Sequence, residues 1–233
     1  MIRVSLQPVC RRVLAALACA AAVVHAAPAG AQSVPQRSQS QVADALEGVG
    51  DAPVRTALLA TIESAQSRGV PVDPLITKVR EGVAKQSDPS RISDAVRQLA
   101  GRLETAAQAL APAFSSSEIS AGAGALQHGV PASTLRAYRA LSPSAPLTVP
   151  LGVLTEMIAD GVPPKLASTR IRELVARGAA PALLIDMGAK IRSDVIRGIA
   201  PGVALELRSK GVISLLGSPV SPAAQPQLRP GKR

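Results

Sequence analysis

The sequence predicts an all-α protein, either an irregular bundle or an array of short helical hairpins joined by Gly-Val-Pro type turns. Its 233 residues are 47% hydrophobic but only 1% aromatic. The apolar residues are therefore mainly aliphatic and rich in Ala, which favours helices over sheets. The tripeptide Gly-Val-Pro recurs along the chain, and the apolar residues between its copies follow helical spacing.

Residues 1–31 have the organisation of a secretory signal peptide. Three arginines precede an uncharged apolar run over residues 13–24, and a small-x-small site ends at Ala31. We expect cleavage after Ala31, with cleavage after Ala26 as the alternative. The apolar run is shorter than the about 20 residues that cross a bilayer, so no transmembrane span is expected after cleavage.

Both cysteines of the chain, Cys10 and Cys19, lie inside this segment. The mature chain is thus expected to lack cysteine, which excludes a disulfide framework, a nucleophilic thiol and a thiolate metal site. The expected location is the periplasm or the exterior of a bacterial cell. Two other routes remain open, namely a lipoprotein acylated at Cys19 and a twin-arginine signal at Arg11 and Arg12.

The segments that flank the predicted helical domain, residues 51–217, are polar or rich in proline. Residues 32–50 begin with a stretch rich in Gln and Ser and are interpreted as a flexible leader. Residues 218–233 contain four prolines and little to bury, so they are interpreted as a disordered, basic tail.

Glycine and proline mark the expected turns. A glycine after a helix can take the left-handed conformation that ends it, the next aliphatic residue packs back, and proline is tolerated at the start of the following helix. Looser copies of the tripeptide occur at residues 178–181 and 198–201. The residues assigned to the three Gly-Val-Pro turns are Gly69 with Pro71, Gly129 with Pro131, and Gly161 with Pro163.

The segments between these turns carry helix signals. Asp88 is an N-cap residue ahead of Pro89, and apolar residues then recur at steps of four and three as far as Leu110. Ser115 and Glu118 have the spacing of a capping box. Helices are expected over 53–67, from Asp73 and Pro74 with Val83 as the last inward residue, from 89 to 112, from 116, over 132–141 and 150–160, after 163, and over 181–191 and 202–209.

The formal charge of +10 does not indicate a nucleic-acid-binding surface. Residues 41–217 contain 19 basic and 16 acidic side chains, so most of the excess lies near the two ends of the chain. This distribution, together with expected export and the scarcity of aromatic residues, excludes nucleic acid as a partner. The tail residues Arg229, Lys232 and Arg233 are candidates for a weak contact with an anionic envelope surface.

No residue is assigned a catalytic, cofactor-binding or metal-binding role. His128 would be the one histidine of the mature chain, and its position before Gly129 suits a helix C-terminus better than a site. One histidine without cysteine does not make a zinc site of the usual type. No G-x-S-x-G elbow or phosphate loop is present.

Two pairs of carboxylates keep glycan cleavage open as an alternative, because that reaction requires only two carboxyl groups. The pairs are Glu156 with Asp160 and Glu104 with Glu118. The sequence favours instead an exported, noncatalytic helical module that binds an envelope protein or associates with itself. A second alternative is an adaptor that contacts anionic envelope components through its basic tail.

Overall fold

The computed structural model describes residues 34–113 and 115–217. These residues form ten α-helices and contain no strand, so the predicted all-α class is confirmed for this part of the chain. The helices are α1 (Val34–Glu47), α2 (Ala52–Ser67), α3 (Asp73–Ala84), α4 (Pro89–Ala109), α5 (Ser116–Gln127), α6 (Ala132–Leu141), α7 (Thr148–Ala159), α8 (Pro164–Ala176), α9 (Pro181–Ile196) and α10 (Pro201–Leu216).

The helices pack as an array in chain order. Each helix makes its substantial contacts with helices one or two positions away along the chain. Thus α4 packs against α2, α3, α5 and α6, while α7 packs against α5, α8 and α9, and α10 packs against α8 and α9. In such an arrangement, stability comes mainly from contacts between neighbours, and the two terminal helix pairs have neighbours on one side only.

The core is a continuous aliphatic cluster that runs through all ten helices. Tyr138 of α6 is the largest fully buried side chain. Its hydroxyl donates a hydrogen bond to the backbone carbonyl of Ser168 in α8, with 2.9 Å between the oxygens. Burial raises the pKa of Tyr138 well above the ordinary value for a phenol, so this hydroxyl stays protonated and joins the two helices.

Each of the three Gly-Val-Pro sites forms a Schellman motif. Gly69, Gly129 and Gly161 have positive φ angles of 71°, 83° and 93°. At the second site, the Gly129 N–H donates to the carbonyl of Leu126 and the Val130 N–H donates to that of Ala125. These two bonds satisfy carbonyls that the end of α5 would otherwise leave unpaired. The valine of each motif is buried, which anchors the turn on the core.

The same pair of hydrogen bonds closes three further helices, at Gly178, Gly198 and Gln86. Gln86 has a φ of 51° and carries no glycine signal, so the left-handed closure of α3 at this residue was not expected from the sequence.

The prolines of the three motifs do not share one role. Pro131 and Pro163 are the N-cap residues of α6 and α8. Pro71 lies ahead of the N-cap of α3, which is Val72, and Pro74 lies in the first turn of that helix. A Gly-Val-Pro sequence therefore ends a helix consistently, while the start of the next helix varies by a few residues.

The structure differs from the expected flexible leader over residues 32–50, because α1 occupies most of that range. Its apolar residues Val42, Ala45 and Leu46 are buried, and Val49 after the helix is buried as well. Spacings of three, four and seven residues place these side chains on one helical face, which packs against α2 and α3. The helical domain therefore includes residues that the sequence interpretation had left outside it.

Some helix ends also differ from those expected. The helix that starts at Pro89 ends at Ala109 rather than near Pro112. The last two helices extend to Ile196 and Leu216, beyond the expected residues 191 and 209. In α10 the buried Val212 continues the packed face past Gly211, and the helix ends before Gly217, which has a positive φ of 69°. The expected signal peptide, 1–31, and the expected tail, 218–233, lie outside the described residues.

Candidate interaction surface

His128 is the C-cap residue of α5, as its sequence position suggested. Its backbone N–H points at the last carbonyls of the helix, within hydrogen-bond distance of those of Gly124 and Ala125. Across residues 34–113 and 115–217, no three or more His, Cys, Asp or Glu side chains form a cluster that could hold a metal ion.

The two candidate carboxylate pairs are bound to arginines. Glu156 and Asp160 both contact Arg192, with the shorter N–O distance, 3.0 Å, to Asp160. In the other pair, Glu104 contacts Arg68 at 3.4 Å, whereas Glu118 is buried and bound to a different arginine. Each of these four acids therefore has an arginine as its ion-pair partner.

Glu118 and Arg139 form a buried ion pair that joins four segments. Both side chains are almost completely inaccessible to solvent, and the Arg139 guanidinium donates to the Glu118 carboxylate. Arg139 also donates to the carbonyls of Leu110, Ser142 and Ala145 at 2.9–3.1 Å. The same carboxylate accepts the Leu147 N–H at 2.7 Å. With its hydrogen-bonding groups satisfied by backbone, this pair fixes the end of α4 and the α6–α7 loop around α5.

A second buried carboxylate, Asp194 of α9, ties that helix to α10. Arg208 binds it through both oxygens, at 2.6 and 2.8 Å, and Arg197 binds it as well. These two guanidinium groups lower the pKa of Asp194 to about 2, with the hydrogen bond from Arg208 as the largest cause. The pair holds the last two helices in a fixed relation.

A groove with several polar side chains lies between α6 and α8. Its volume is about 610 Å³, and its walls include Thr134, Ser168 and Thr169 together with Lys165 and Arg172. Both cations are exposed on its rim. The other basic residues of α8 are already engaged, since Arg170 binds Glu206 and Glu173, and Arg177 binds Glu173. The groove holds no buried polar side chain that points to a particular ligand.

Large exposed apolar side chains concentrate on the last two helices. Five of the seven among the described residues belong to α9 or α10. On α10, Val203, Leu207 and Leu215 are 60%, 56% and 77% exposed, and with Gly211 they recur every four residues. This spacing places them on one side of the helix, opposite the buried Leu205, Ser209 and Val212.

A groove beside this apolar stripe lies between α9 and α10. Its volume is about 380 Å³, and it is lined mainly by Leu183, Met187, Leu207, Gly211 and Leu215. The ion pair between Asp186 and Lys190 borders it, with 2.7 Å between the charged atoms. The stripe and the groove together are called the C-terminal face below. An exposed apolar surface of this kind is typical of a contact with another macromolecule.

Periodicity alone did not identify this face. Apolar residues occur nearly all around α10, so the sequence does not show which of them lie uncovered. The three tail cations expected to contact an anionic surface, Arg229, Lys232 and Arg233, lie outside the described residues, so their position does not bear on it. Within the described ranges, none of the helices combines the length and the hydrophobicity of a membrane-spanning segment.

No protein family, no characterised protein and no solved structure matches this chain. The interpretation of its surface therefore depends on its own residues.

Proposed function

We propose that this chain is an exported, noncatalytic helical module that acts by binding protein through its C-terminal face. The observation that carries the proposal is the row of exposed Val203, Leu207 and Leu215 on the outer side of the last helix. Terminal units of helical arrays usually present a polar outer face, because an apolar one reduces solubility. An uncovered stripe at one end therefore favours a partner that covers it.

The interior of the domain supports a structural rather than a catalytic role. Its two buried carboxylates, Glu118 and Asp194, are each bound by arginine and hold helices together. The proposal that the module is exported depends on the signal-like residues 1–31.

The binding test compares substitutions of matched size and exposure. Leu207→Lys places a charge in the C-terminal face. The control, Leu141→Lys, places the same charge outside that face, at a 45% exposed leucine at the end of α6. Light scattering and pull-down from envelope extracts are the measurements. We expect association to be lost with Leu207→Lys and kept with Leu141→Lys. A strict monomer without an envelope partner, or equal binding by both variants, would contradict the proposal.

Export has its own test. After expression of the full chain in a bacterial host, the location of the product is measured by cell fractionation, and its N-terminus by mass spectrometry. The proposal expects a periplasmic or secreted product that begins at Gln32. An N-terminus at residue 27 indicates the alternative site, and an acylated Cys19 indicates the lipoprotein route. An intact chain in the cytoplasm would refute export.

A further inference from the structure

We infer that the C-terminal face takes a second copy of this chain, which docks through its N-terminal helix pair, α1 and α2, in a head-to-tail arrangement. This inference rests on the proposed function and names its partner. It depends on three features of the described residues: the packing plan of the array, the shape of its two ends, and the opposite charges that these ends carry.

The packing plan leaves room for another helix pair at each end. Interior helices contact helices one or two positions away on both sides, whereas among the described residues the pair α9 and α10 has no helix after it and the pair α1 and α2 has none before it. A second copy whose α1 and α2 follow α10 would continue the same pattern of contacts across the boundary. Such a heterologous contact joins two different surfaces of the same chain.

The N-terminal pair offers an apolar groove that suits the exposed stripe of α10. This groove lies between α1 and α2, has a volume of about 250 Å³, and is lined by Val42, Leu46, Leu59 and Ile62. Leu59 is 39% exposed there and is the one large apolar side chain of this end that lies open to solvent among the described residues. A groove of this size accommodates one or two aliphatic side chains of the Leu207 type.

The two ends have opposite charge. Over residues 34–67 there are four carboxylates and two arginines, and over residues 181–216 there are five basic and three acidic side chains. Asp44, Glu47 and Glu63 have no ion pair within the part of the chain that the structure describes, and Glu63 borders the N-terminal groove. Lys210, next to Leu207 on α10, is likewise exposed and without an ion pair there.

These charges distinguish the head-to-tail arrangement from its main competitor. In a two-fold dimer of C-terminal faces, the basic ends of two copies would approach each other, and like charges oppose association. In the head-to-tail arrangement, the basic end meets an acidic one, so charge and hydrophobic burial act in the same direction. The contact is small, and we expect it to form in the micromolar range and to weaken at high salt.

The test is a complementation experiment with full-length protein, measured by sedimentation velocity at concentrations on the order of 100 μM, at which a micromolar complex is largely formed. Leu207→Lys damages the C-terminal face and leaves the N-terminal groove intact, while Leu59→Lys does the reverse. Wild-type protein is expected to form concentration-dependent oligomers. Each variant alone is expected to associate at least about tenfold more weakly than wild type and to form smaller species at every concentration. An equimolar mixture is expected to stop at a one-to-one complex, because one intact interface remains.

A charge exchange provides a second test with gentler substitutions. Glu63→Lys and Lys210→Glu each place like charges across the inferred contact, whereas their mixture restores opposite charges. We expect either variant alone to associate less than wild type and the mixture to recover most of the loss, with Leu141→Lys behaving as wild type. Circular dichroism of each variant verifies that the helices are intact.

Two outcomes would overturn the inference without affecting the proposed function. If Leu59→Lys still forms a closed dimer, the C-terminal face pairs with itself. If wild type is monomeric at these concentrations but retains an envelope partner whose binding requires Leu207, the face takes a different protein. If wild type is monomeric and no binding depends on Leu207, both the inference and the proposed function fail.

Discussion

Replacing Gly129 by Ala is expected to destabilise the domain, whereas the same replacement at Gly152 is expected to stabilise it. Gly129 follows α5 with a φ of 83°, and Gly152 lies inside α7. A Cβ atom built on either residue meets no other atom within 4 Å. The two substitutions therefore add the same methyl group to open space and differ only in the backbone conformation that the new alanine must adopt.

The expected magnitudes follow from that difference. An L-residue in the left-handed region destabilises the folded protein by about 1–2 kcal/mol. Replacing glycine by alanine also lowers the conformational entropy of the unfolded chain, which offsets about 0.4–1 kcal/mol of that destabilisation. Gly129→Ala should thus lower the free energy of unfolding by about 1 kcal/mol. Within a helix alanine is favoured over glycine by about 0.5–1 kcal/mol, so Gly152→Ala should raise that free energy by this amount.

Thermal unfolding followed by circular dichroism at 222 nm measures both effects. For a domain of this size, 1 kcal/mol corresponds to a shift in Tm of about 2–4 °C, so the two variants should move in opposite directions. Asparagine tolerates the left-handed conformation, so Gly129→Asn should lose less stability than Gly129→Ala. If alanine stabilises the protein equally at both positions, Gly129 does not close α5 in the way described.

Two further perturbations concern the buried carboxylates. Arg139→Met leaves Glu118 buried without its cation, so it should lower the free energy of unfolding, measured by chemical denaturation, by about 3–5 kcal/mol. The control is Arg97→Met, at a 67% exposed side chain, which should change that free energy by at most about 1 kcal/mol. Similar losses in both variants would refute the structural role of the buried pair. Because the pKa of Asp194 falls from 3.8 to about 2 in the folded protein, its stabilising contribution is complete above pH 3.8 and is lost as the pH falls towards 2. Unfolding measured between pH 5 and pH 2 should therefore show a steeper loss of stability for wild type than for Asp194→Asn, and parallel profiles would exclude this carboxylate as a source of the pH dependence.

The turns could be predicted from sequence because their chemistry is local. Glycine is the residue that adopts positive φ without strain, and the buried valine beside it is adjacent in the chain. The turn at Gln86 shows the limit of this reasoning. There a residue other than glycine has a φ of 51°, and nothing in the local sequence indicates it.

The first helix was missed for a related reason. The first part of residues 32–50 is rich in Gln and Ser, and this composition led to the prediction of a flexible leader although a short apolar series begins at Val42. These few apolar residues are enough to pack α1 on the domain, because the helix buries only one face, against α2 and α3. Its residues Gln39, Asp44 and Glu47 remain exposed to solvent.

The partner of Glu118 could not be predicted from its local motif. The capping-box spacing correctly places the hydroxyl of Ser115 against the N–H of Glu118, at 3.2 Å. The carboxylate itself, however, binds Arg139, which is 21 residues away along the chain. Long-range pairing of this kind depends on how α5 and α6 pack, and a spacing rule within one helix does not contain that information.

The arginines of the domain show why binding is assigned to its ends. Several ion pairs connect helices that are two positions apart along the chain. They are Arg68, the C-cap residue of α2, with Glu104 of α4; Arg170 of α8 with Glu206 of α10; and Arg192 of α9 with Asp160, which follows α7. These pairs repeat the packing plan, so much of the interior charge already stabilises contacts between helices. Within the described residues, the array leaves two surfaces without partners: carboxylates without an ion pair at one end, and an apolar, basic face at the other. A substitution in an interior pair should therefore change stability before it changes association, while one at Leu207 or Glu63 should do the reverse.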